Sequence, residues 1–263
     1  MAPHRTPPLP PRIQQPKTAG ANLKLDKTWG QGQGARGIGA AAVERLAKEG
    51  YDVAFTYVSR PDSAQALVAE IEKSGRRALA IQADSADANA LRGAVAKTVD
   101  VFGPLDAVVV NAGILRLNTV DAVSLEELDL MIDINIRGVF LSIQSAVPHM
   151  KDGGRIITIG SNTAERTGMP GASVYQFSKA AVAAMVKGLA LDLAPRRITV
   201  NNIQPGPTDT DMNAGAIEML SDRSPLKRVA DPKEIAGMVS YLTGPDTSFM
   251  TGSSLTIDGG WTL

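Results

Sequence analysis

Short apolar runs alternate with longer helix-forming segments along most of this chain, and this alternation limits the fold more than any other feature. The apolar runs occupy residues 53–57, 78–82, 105–110, 155–160, 198–203 and 254–257. The run at 105–110 is of the continuous apolar kind that lies buried on both faces of a parallel sheet. The alternation predicts an α/β fold, with a doubly wound parallel sheet of about seven strands in a single domain.

The length of 263 residues suits one large α/β domain, which we place at residues 26–263. Residues 1–25 are predicted to form a disordered Pro-rich tail, because the first 24 residues hold six prolines, four basic residues and no acid. A Pro-rich ligand for a partner domain, a non-functional extension and a mis-assigned start are the alternatives for this tail. It lacks the apolar core of a signal peptide, so we expect a cytoplasmic protein.

Charge and residue usage exclude several classes of function. The 27 basic and 27 acidic residues balance, and no basic stripe indicates a nucleic-acid partner. The absence of cysteine rules out disulfides, thiolate metal sites and a cysteine nucleophile. Two histidines are too few for a histidine metal site and argue against a Ser-His-Asp hydrolase. Since no run of about 18 apolar residues exists, we also expect no membrane-spanning segment.

A candidate acid/base centre lies in the segment 160–190. Tyr175 and Lys179 are four residues apart in a stretch without a helix breaker, so they share one face of a helix. A lysine ammonium beside a phenol favours the phenolate and can bring its pKa of about 10 toward neutrality. Ser161 follows an apolar run, at the sheet edge where ligands bind in such folds. The three residues suggest proton transfer, although a lone Tyr-x-x-x-Lys spacing also arises by chance.

Further motifs surround this centre in a fixed order. Asn111-Ala112-Gly113 follows the run at 105–110, Asn135 lies in DINIRG, and PGPTDTDM occupies 205–212. Together with the serine, tyrosine and lysine, they make the chain resemble the classical short-chain dehydrogenase/reductase family from about Gly34 to the end. The resemblance implies a Rossmann-like fold and an oxidoreductase that uses a nicotinamide dinucleotide.

The resemblance assigns catalytic roles to Asn135, Ser161, Tyr175 and Lys179, with no metal. Tyr175 would protonate the carbonyl oxygen of the substrate, Lys179 would support Tyr175 and bind the nicotinamide ribose, and Ser161 would hold the carbonyl oxygen. Asn135 falls within a predicted long helix at 124–150, where it would hold a water, kink the helix and link Lys179 to solvent. The alternative for Asn135 is a polar residue that the helix merely tolerates.

The glycine-rich cofactor loop departs from the family pattern in its first half. Its second half, Gly34-Ala35-Arg36-Gly37-Ile38-Gly39, is intact and would bind the cofactor pyrophosphate at a helix N-terminus. The first strand and its Thr-Gly would fall at 28–33, where the chain has Gly32 at the usual threonine and Gln33 at the usual first glycine. The chain either binds cofactor poorly or not at all, or was altered during gene assembly or engineering.

The end of the predicted second strand indicates which cofactor is preferred. Members that prefer NAD carry an acid there to bind the ribose 2′-hydroxyl. This chain has Tyr57, Ser59 and Arg60 instead, and the glycine loop adds Arg36. Two cations without an acid suit a 2′-phosphate, so NADP(H) is favoured over NAD(H). The alternative for Arg60 is a solvated loop charge.

The resemblance places the adenosine half of the cofactor on two further strand ends. Asp84 would accept a hydrogen bond from the adenine amino group, and Ser85 would contact the ring. An aspartate at this place is also a common helix cap. Asn111-Ala112-Gly113 would lie along the adenine ribose, where small residues allow close approach of the backbone.

The resemblance places the nicotinamide half after the predicted strand at 198–203. Pro205, Gly206, Thr208 and Thr210 would bind there, with the two threonines holding the carboxamide. Pro-Gly-Pro is also strong turn chemistry whatever the function. Residues 207–230 would form a lid over the substrate, and a homotetramer or dimer is expected by analogy.

These features predict an NADP(H)-dependent reductase of a small ketone or aldehyde, or a dehydrogenase of the secondary alcohol. Two subgroups of the family come closest, the 3-oxoacyl-[acyl-carrier-protein] reductases and a subgroup that binds cyclic-di-GMP and promotes biofilm dispersal. The second supports a rival hypothesis, in which the chain is a catalytically weak or inactive ligand-binding sensor of the same fold. A third hypothesis is a chain that folds poorly and has no function.

Overall fold

The computed structural model describes residues 21–24 and 37–263. Residues 1–20 and 25–36 lie outside this description, and they include Gly34, Arg36 and the two altered positions Gly32 and Gln33. What the sequence predicts for these residues therefore stays a prediction.

Seven parallel strands form one sheet in the described part of the chain, in the order β3-β2-β1-β4-β5-β6-β7. They are β1 (Ala21–Lys24), β2 (Val53–Tyr57), β3 (Ala78–Gln82), β4 (Leu105–Val110), β5 (Met150–Ile159), β6 (Thr199–Pro205) and β7 (Ser254–Ile257). The strand order reverses between β1 and β4, which is the switch point of a doubly wound sheet. The predicted fold is confirmed, and the described sheet has seven strands.

Eight α-helices within residues 37–263 connect and cover these strands. They are α1 (Ile38–Lys48), α2 (Pro61–Lys73), α3 (Ala88–Phe102), α4 (Leu125–Ile132), α5 (Gly138–Ala146), α6 (Ser173–Leu193), α7 (Ile217–Arg223) and α8 (Pro232–Thr243). Helices α1, α2 and α8 contribute to the core on one face of the sheet, and α3, α5 and α6 to the core on the other.

The central strands carry apolar side chains on both faces, as the continuous run at 105–110 predicts. Val109 and Ile157 belong to the core with α1 and α8, whereas Val108 and Ile156 belong to the core with α5 and α6. Successive residues of a strand point to opposite faces, so the two cores share the same strands. Because the two cores cover the faces of the sheet, the carboxyl ends of the strands remain available to line a site.

The first strand lies earlier than the sequence predicts. β1 spans Ala21–Lys24, within the range 1–25 that the sequence assigns to the Pro-rich tail, and ahead of the predicted position at 28–33. Its backbone pairs in parallel with β2 on one side and with β4 on the other. Hydrogen bonds to both neighbouring strands hold the backbone of these residues in a strand. Four residues are too few to show an apolar pattern that would predict this strand from the sequence.

The predicted helix at 124–150 begins at Leu125, after its N-cap Ser124, and is not a continuous α-helix. A π-helical segment, Asp133–Arg137, separates α4 from α5, and β5 begins at Met150. The helical run Leu125–His149 is long and apolar enough to cross a membrane by length and composition alone. Its inner residues Met131, Ile134, Val139 and Ile143 pack in the cores, as in the core helix of a globular domain.

Candidate active site

The segments that follow the strands meet at the carboxyl edge of the sheet and enclose a cavity of about 220 Å³. Tyr57 at the end of β2, Asn111 after β4, Ser161 after β5 and Pro205 at the end of β6 all line it. Parallel strands bring their carboxyl ends to one edge, which explains why residues far apart in sequence meet here. The cavity is therefore the candidate active site.

Tyr175 and Lys179 lie on one face of the first turns of α6, as their spacing predicts. Both are buried, with exposed fractions of 8% and 4%. Tyr175 lines the cavity, and the Nζ atom of Lys179 lies 5.7 Å from the centre of the Tyr175 ring. The ammonium group also donates to the backbone oxygen of Ile159 at 3.1 Å, which anchors it to the end of β5. Lys179 thus lies behind the tyrosine rather than in the cavity wall.

Ser161 presents a hydroxyl group to the same cavity. Its Oγ atom accepts a hydrogen bond from the backbone N–H of Thr163 at 3.2 Å and another from the Thr163 hydroxyl at 2.9 Å. Because both bonds use its lone pairs, the hydroxyl hydrogen remains to be donated to a ligand. Ser161 and Tyr175 are therefore two residues with hydroxyl groups in the lining of one cavity.

Asn135 organises the region behind these hydroxyl groups. Its side chain is fully buried in the π-helical segment and forms a double hydrogen bond with Ile114, accepting from N–H at 2.8 Å and donating to C=O at 3.0 Å. It also donates to Ser178 Oγ at 3.1 Å. A Cβ atom at Gly113 would lie only 2.9 Å from Lys179 Nζ, so a side chain at this position would displace the lysine ammonium group.

The N-terminus of α1 faces the cavity through Gly37, Ile38 and Gly39. Gly37 is the N-cap, has a φ of 115° that suits glycine, and provides no capping side chain. The first turn contains no acidic residue, so its backbone N–H groups are suited to a bound anion. A pyrophosphate would fit the chemistry of this helix end.

Arg60, Ser59 and Tyr57 also line the cavity, after β2. The Nη1 atom of Arg60 is buried and has no hydrogen-bond partner among the described residues. A buried guanidinium N–H without a partner is costly, and a phosphate group would satisfy it. These residues therefore fit the 2′-phosphate of NADP(H), as the absence of an acid after β2 predicts.

The end of β6 and the segment after it form one wall of the cavity, which contains Pro205, Gly206, Thr208 and Thr210. Thr208 Oγ1 donates to the backbone oxygen of Gly206 at 2.9 Å, and Asn213 Nδ2 donates to the backbone oxygen of Thr208 at 2.8 Å. A Cβ atom at Gly206 would lie 2.6 Å from the Cα atom of Asp258, so only glycine fits there. All four predicted residues are brought to the site.

Among the predicted site residues that the structure describes, five do not line the cavity: Asp84, Ser85, Ala112, Asn135 and Lys179. The last two lie behind the cavity wall, as described above. Asp84 follows β3 and accepts a hydrogen bond from the backbone N–H of Ala86 at 3.0 Å, and Ala112 is buried. The adenine contacts predicted for Asp84 and Ser85 remain predictions.

Several lining residues have no counterpart among the predicted site residues, notably Trp261, Met169, Leu115 and Leu117. Trp261 lies after β7, near the C-terminus of the chain. Within the predicted lid at 207–230, the apolar residues Met212 and Leu220 line the cavity. An apolar residue in a loop carries no periodic signal, so the sequence does not reveal these contacts.

Known proteins resemble this chain over most of its length. A family model described as enoyl-(acyl carrier protein) reductase matches residues 33–262. The cyclic-di-GMP-binding biofilm dispersal mediator protein of Escherichia coli K12 is 42% identical over 229 residues, which cover 86% of this chain and 93% of that protein.

Solved structures are also similar. A short-chain dehydrogenase/reductase from Serratia marcescens BCRC 10948 is 46% identical, with a TM-score of 0.87 and coverage of 95% of this chain and 100% of that one. A short-chain dehydrogenase from Burkholderia cenocepacia J2315 in complex with NADP is 43% identical, with a TM-score of 0.86 and coverage of 93% and 98%. Sequence and structure thus lead to the same conclusion: the chain belongs to the short-chain dehydrogenase/reductase family.

Proposed function

We propose that this protein is an NADP(H)-dependent oxidoreductase that reduces a ketone or aldehyde, or oxidises the corresponding alcohol. The observation that carries the proposal is the meeting of Ser161 and Tyr175 in one cavity, with Lys179 behind the tyrosine ring. The neighbour in complex with NADP supports the choice of cofactor. The family membership supports the reaction class.

The described residues fit the cofactor at three places. Arg60 would bind the 2′-phosphate, the N-terminus of α1 would bind the pyrophosphate, and Thr208 and Thr210 would bind the nicotinamide carboxamide. When bound, NADPH supplies a hydride for the carbonyl carbon.

The residues of the chain handle the oxygen atom of the substrate. Tyr175 donates its hydroxyl proton to the carbonyl oxygen, and Ser161 donates a hydrogen bond to the same oxygen. The Lys179 ammonium stabilises the phenolate that Tyr175 becomes, because a nearby positive charge favours the ionised phenol. Asn135 holds the segment that contains Ile114 in place through its two hydrogen bonds with that residue.

The decisive experiment combines cofactor titration with the substitution Tyr175→Phe. We expect the wild type to bind NADPH more tightly than NADH and to reduce simple ketones. Tyr175→Phe should retain NADPH binding but lose about 100-fold to 10,000-fold in kcat, which is the usual contribution of a general acid. Nicotinamide fluorescence measures binding, and loss of absorbance from NADPH measures turnover. Tyr241→Phe, an exposed tyrosine on α8, is the matched control and should be fully active.

A ligand-binding sensor is the second candidate function. The relative from Escherichia coli, which is 42% identical, carries a name that describes cyclic-di-GMP binding and biofilm dispersal. The same titration with cyclic-di-GMP separates the two proposals. Binding of cyclic-di-GMP without binding of either nicotinamide nucleotide, in protein that unfolds cooperatively, would contradict the reductase and favour the sensor.

We also propose that the protein is a homo-oligomer. The outer faces of α5 and α6 carry the exposed side chains Phe140, Phe177 and Leu191. Exposed apolar side chains on neighbouring helices favour association with a second copy.

A further inference from the structure

The cavity is lined by a cation on the β2 side of the sheet and by large apolar side chains on the other side. Arg60 follows β2 and Ser161 follows β5, with β1 and β4 between them. Since neighbouring strands are about 4.8 Å apart, β2 and β5 are roughly 14 Å apart. Trp261 follows β7, which lies on the other side of β5. In the strand order, β5, which precedes Ser161, therefore lies between the strand before Arg60 and the strand before Trp261.

The segments that follow β4 to β7 give the cavity an apolar wall. The large apolar side chains that they contribute are Leu115, Leu117, Met169, Met212, Leu220 and Trp261. Among the described lining residues, only Arg60 and Asp211 are charged. No described cation lines this side of the cavity, and the nearby Arg223 guanidinium lies against the Trp261 ring at 5.5 Å from its centre. The wall therefore suits an uncharged apolar group next to the reacting carbonyl.

The ring of Trp261 is held by its neighbours. The Arg223 guanidinium on α7 lies 5.5 Å from the ring centre and donates from Nη2 to the backbone oxygen of Gly168 at 3.0 Å. A Cβ atom at Gly168 would lie 3.2 Å from Trp261 Nε1, so the ring packs directly on this backbone. The ring is thus placed before a substrate arrives, which lowers the entropic cost of binding.

The turn that carries Trp261 is also tied to the segment of Ser161. The Asp258 carboxylate accepts hydrogen bonds from the backbone N–H groups of Gly260 at 2.9 Å and Thr262 at 3.0 Å. Asn162, which follows Ser161, donates to the same carboxylate at 3.4 Å. The aromatic ring and the reactive hydroxyl are therefore positioned through one short network.

From these observations we infer that Trp261 is a specificity-determining residue and that the substrate is an uncharged ketone carrying a flat aromatic group. The inference rests on the proposed reductase function and names the substrate class of that site. The aromatic group stacks on or against the Trp261 ring, and the carbonyl oxygen reaches Ser161 and Tyr175. Offset or edge-to-face contact between two aromatic rings favours a flat group over a puckered one of the same size.

The test compares three ketones with NADPH as reductant. Acetophenone has the flat ring, cyclohexyl methyl ketone has a puckered ring of the same carbon count, and 2-butanone has no ring. We expect Trp261→Ala to lower kcat/KM for acetophenone about tenfold or more, because loss of an apolar pocket contact has effects of this size. The value for 2-butanone should change less than about threefold. Trp261→Phe should keep most of the wild-type kcat/KM for acetophenone, and Trp261→Leu should not.

Phe249→Ala is the matched control, because Phe249 is an exposed aromatic residue that does not line the cavity. It should leave the ratio of kcat/KM values for acetophenone and 2-butanone unchanged. If Trp261→Leu lowered kcat/KM equally for all three ketones, or lowered it for none of them, the inference would be wrong while the reductase function would stand. The charged analogue 4-acetylbenzoate should be a poorer substrate than acetophenone, and the reverse would also contradict it.

A binding measurement separates failure of the inference from failure of the proposed function. If no ketone is reduced, calorimetry with acetophenone and the NADPH-loaded protein still compares the wild type with Trp261→Leu. Weaker binding to the variant would support the aromatic pocket in a protein that is not a reductase. Equal binding would overturn the pocket as well.

Discussion

Arg60 combines two unfavourable features at one residue. Its backbone adopts a left-handed conformation with a φ of 70°, which costs a residue with a side chain about 1–2 kcal/mol. Its Nη1 atom is buried without a partner among the described residues. Strain and an unsatisfied donor at the same cavity residue are typical of a binding site that is completed by its ligand.

We therefore expect Arg60→Ala to weaken NADPH binding about 10-fold to 100-fold, because a hydrogen bond to a charged group contributes about 1.5–3 kcal/mol. Binding of NADH, which lacks the 2′-phosphate, should change less than about threefold. Fluorescence titration of both nucleotides checks the difference. Arg92→Ala removes an exposed arginine on α3 and should affect neither titration. Equal weakening of both nucleotides by Arg60→Ala would refute the proposed phosphate contact.

At the residue scale, the sequence predicts the polar residues of the site better than its apolar wall. Ser161, Tyr175 and Arg60 stand in motifs or at strand ends, where their positions indicate the sheet edge. Trp261 and Met169 lie in irregular segments, where the same residue types more often pack in a core. Only the folded chain shows that they face a cavity.

The π-helical segment between α4 and α5 shows how an element is shaped by one side chain. Asn135 turns inward at this segment and satisfies both backbone polar groups of Ile114, which lies in the segment after β4. Such segments interrupt α-helices most often at functional sites. The helix interruption therefore joins the sheet edge to α6 through Asn135 and Ser178.

Asn135→Ala should destabilise the protein by about 2–6 kcal/mol, because it leaves the buried N–H and C=O groups of Ile114 without partners at about 1–3 kcal/mol each. Urea unfolding in the absence of cofactor measures this change. The control Gln144→Ala replaces an exposed residue of α5 and should change stability by less than about 0.5 kcal/mol. A loss below about 1 kcal/mol for Asn135→Ala would show that solvent replaces these hydrogen bonds.

At the element scale, the sequence predicts boundaries well where apolar period and end signals agree. β4 and β7 lie at the predicted residues 105–110 and 254–257. β5 is longer than the run at 155–160, because Met150 pairs with Leu105 before a register shift. That extension depends on a neighbouring strand, so no local pattern reveals it.

Acid should destabilise the whole molecule through three carboxyl groups. A hydrogen bond from Arg228 lowers the pKa of Glu234 from 4.5 to about 2. Burial opposes ionisation of Asp52 and Asp258, but hydrogen bonds from Arg77 and from Thr262, respectively, outweigh it and lower the pKa of each. Because the folded state binds protons less readily than the unfolded state, this stability is present above the unfolded pKa values. It is lost as pH falls through the folded values.

For Glu234 this stability is lost as the pH falls from 4.5 to about 2. Glu234→Gln should therefore be less stable than the wild type at about pH 6, and the difference should shrink as the pH approaches 3. Urea unfolding at a series of pH values and low salt measures the difference, which salt should reduce because the pair is exposed. Glu72→Gln, an exposed residue of α2, is the control. A difference for Glu234→Gln that stays constant with pH would contradict this account.

The place of β1 has a consequence for how copies of the chain meet one another. Without Ala21–Lys24, the sheet would consist of two separate pieces, β3-β2 and β4-β5-β6-β7. Each piece would end in a strand with unpaired N–H and C=O groups, and such edges add strands from other molecules. Four residues beside a Pro-rich segment therefore do more than complete the fold. They pair with the strand edges of β2 and β4, which would otherwise be free to pair with other molecules, and so protect the protein from aggregation.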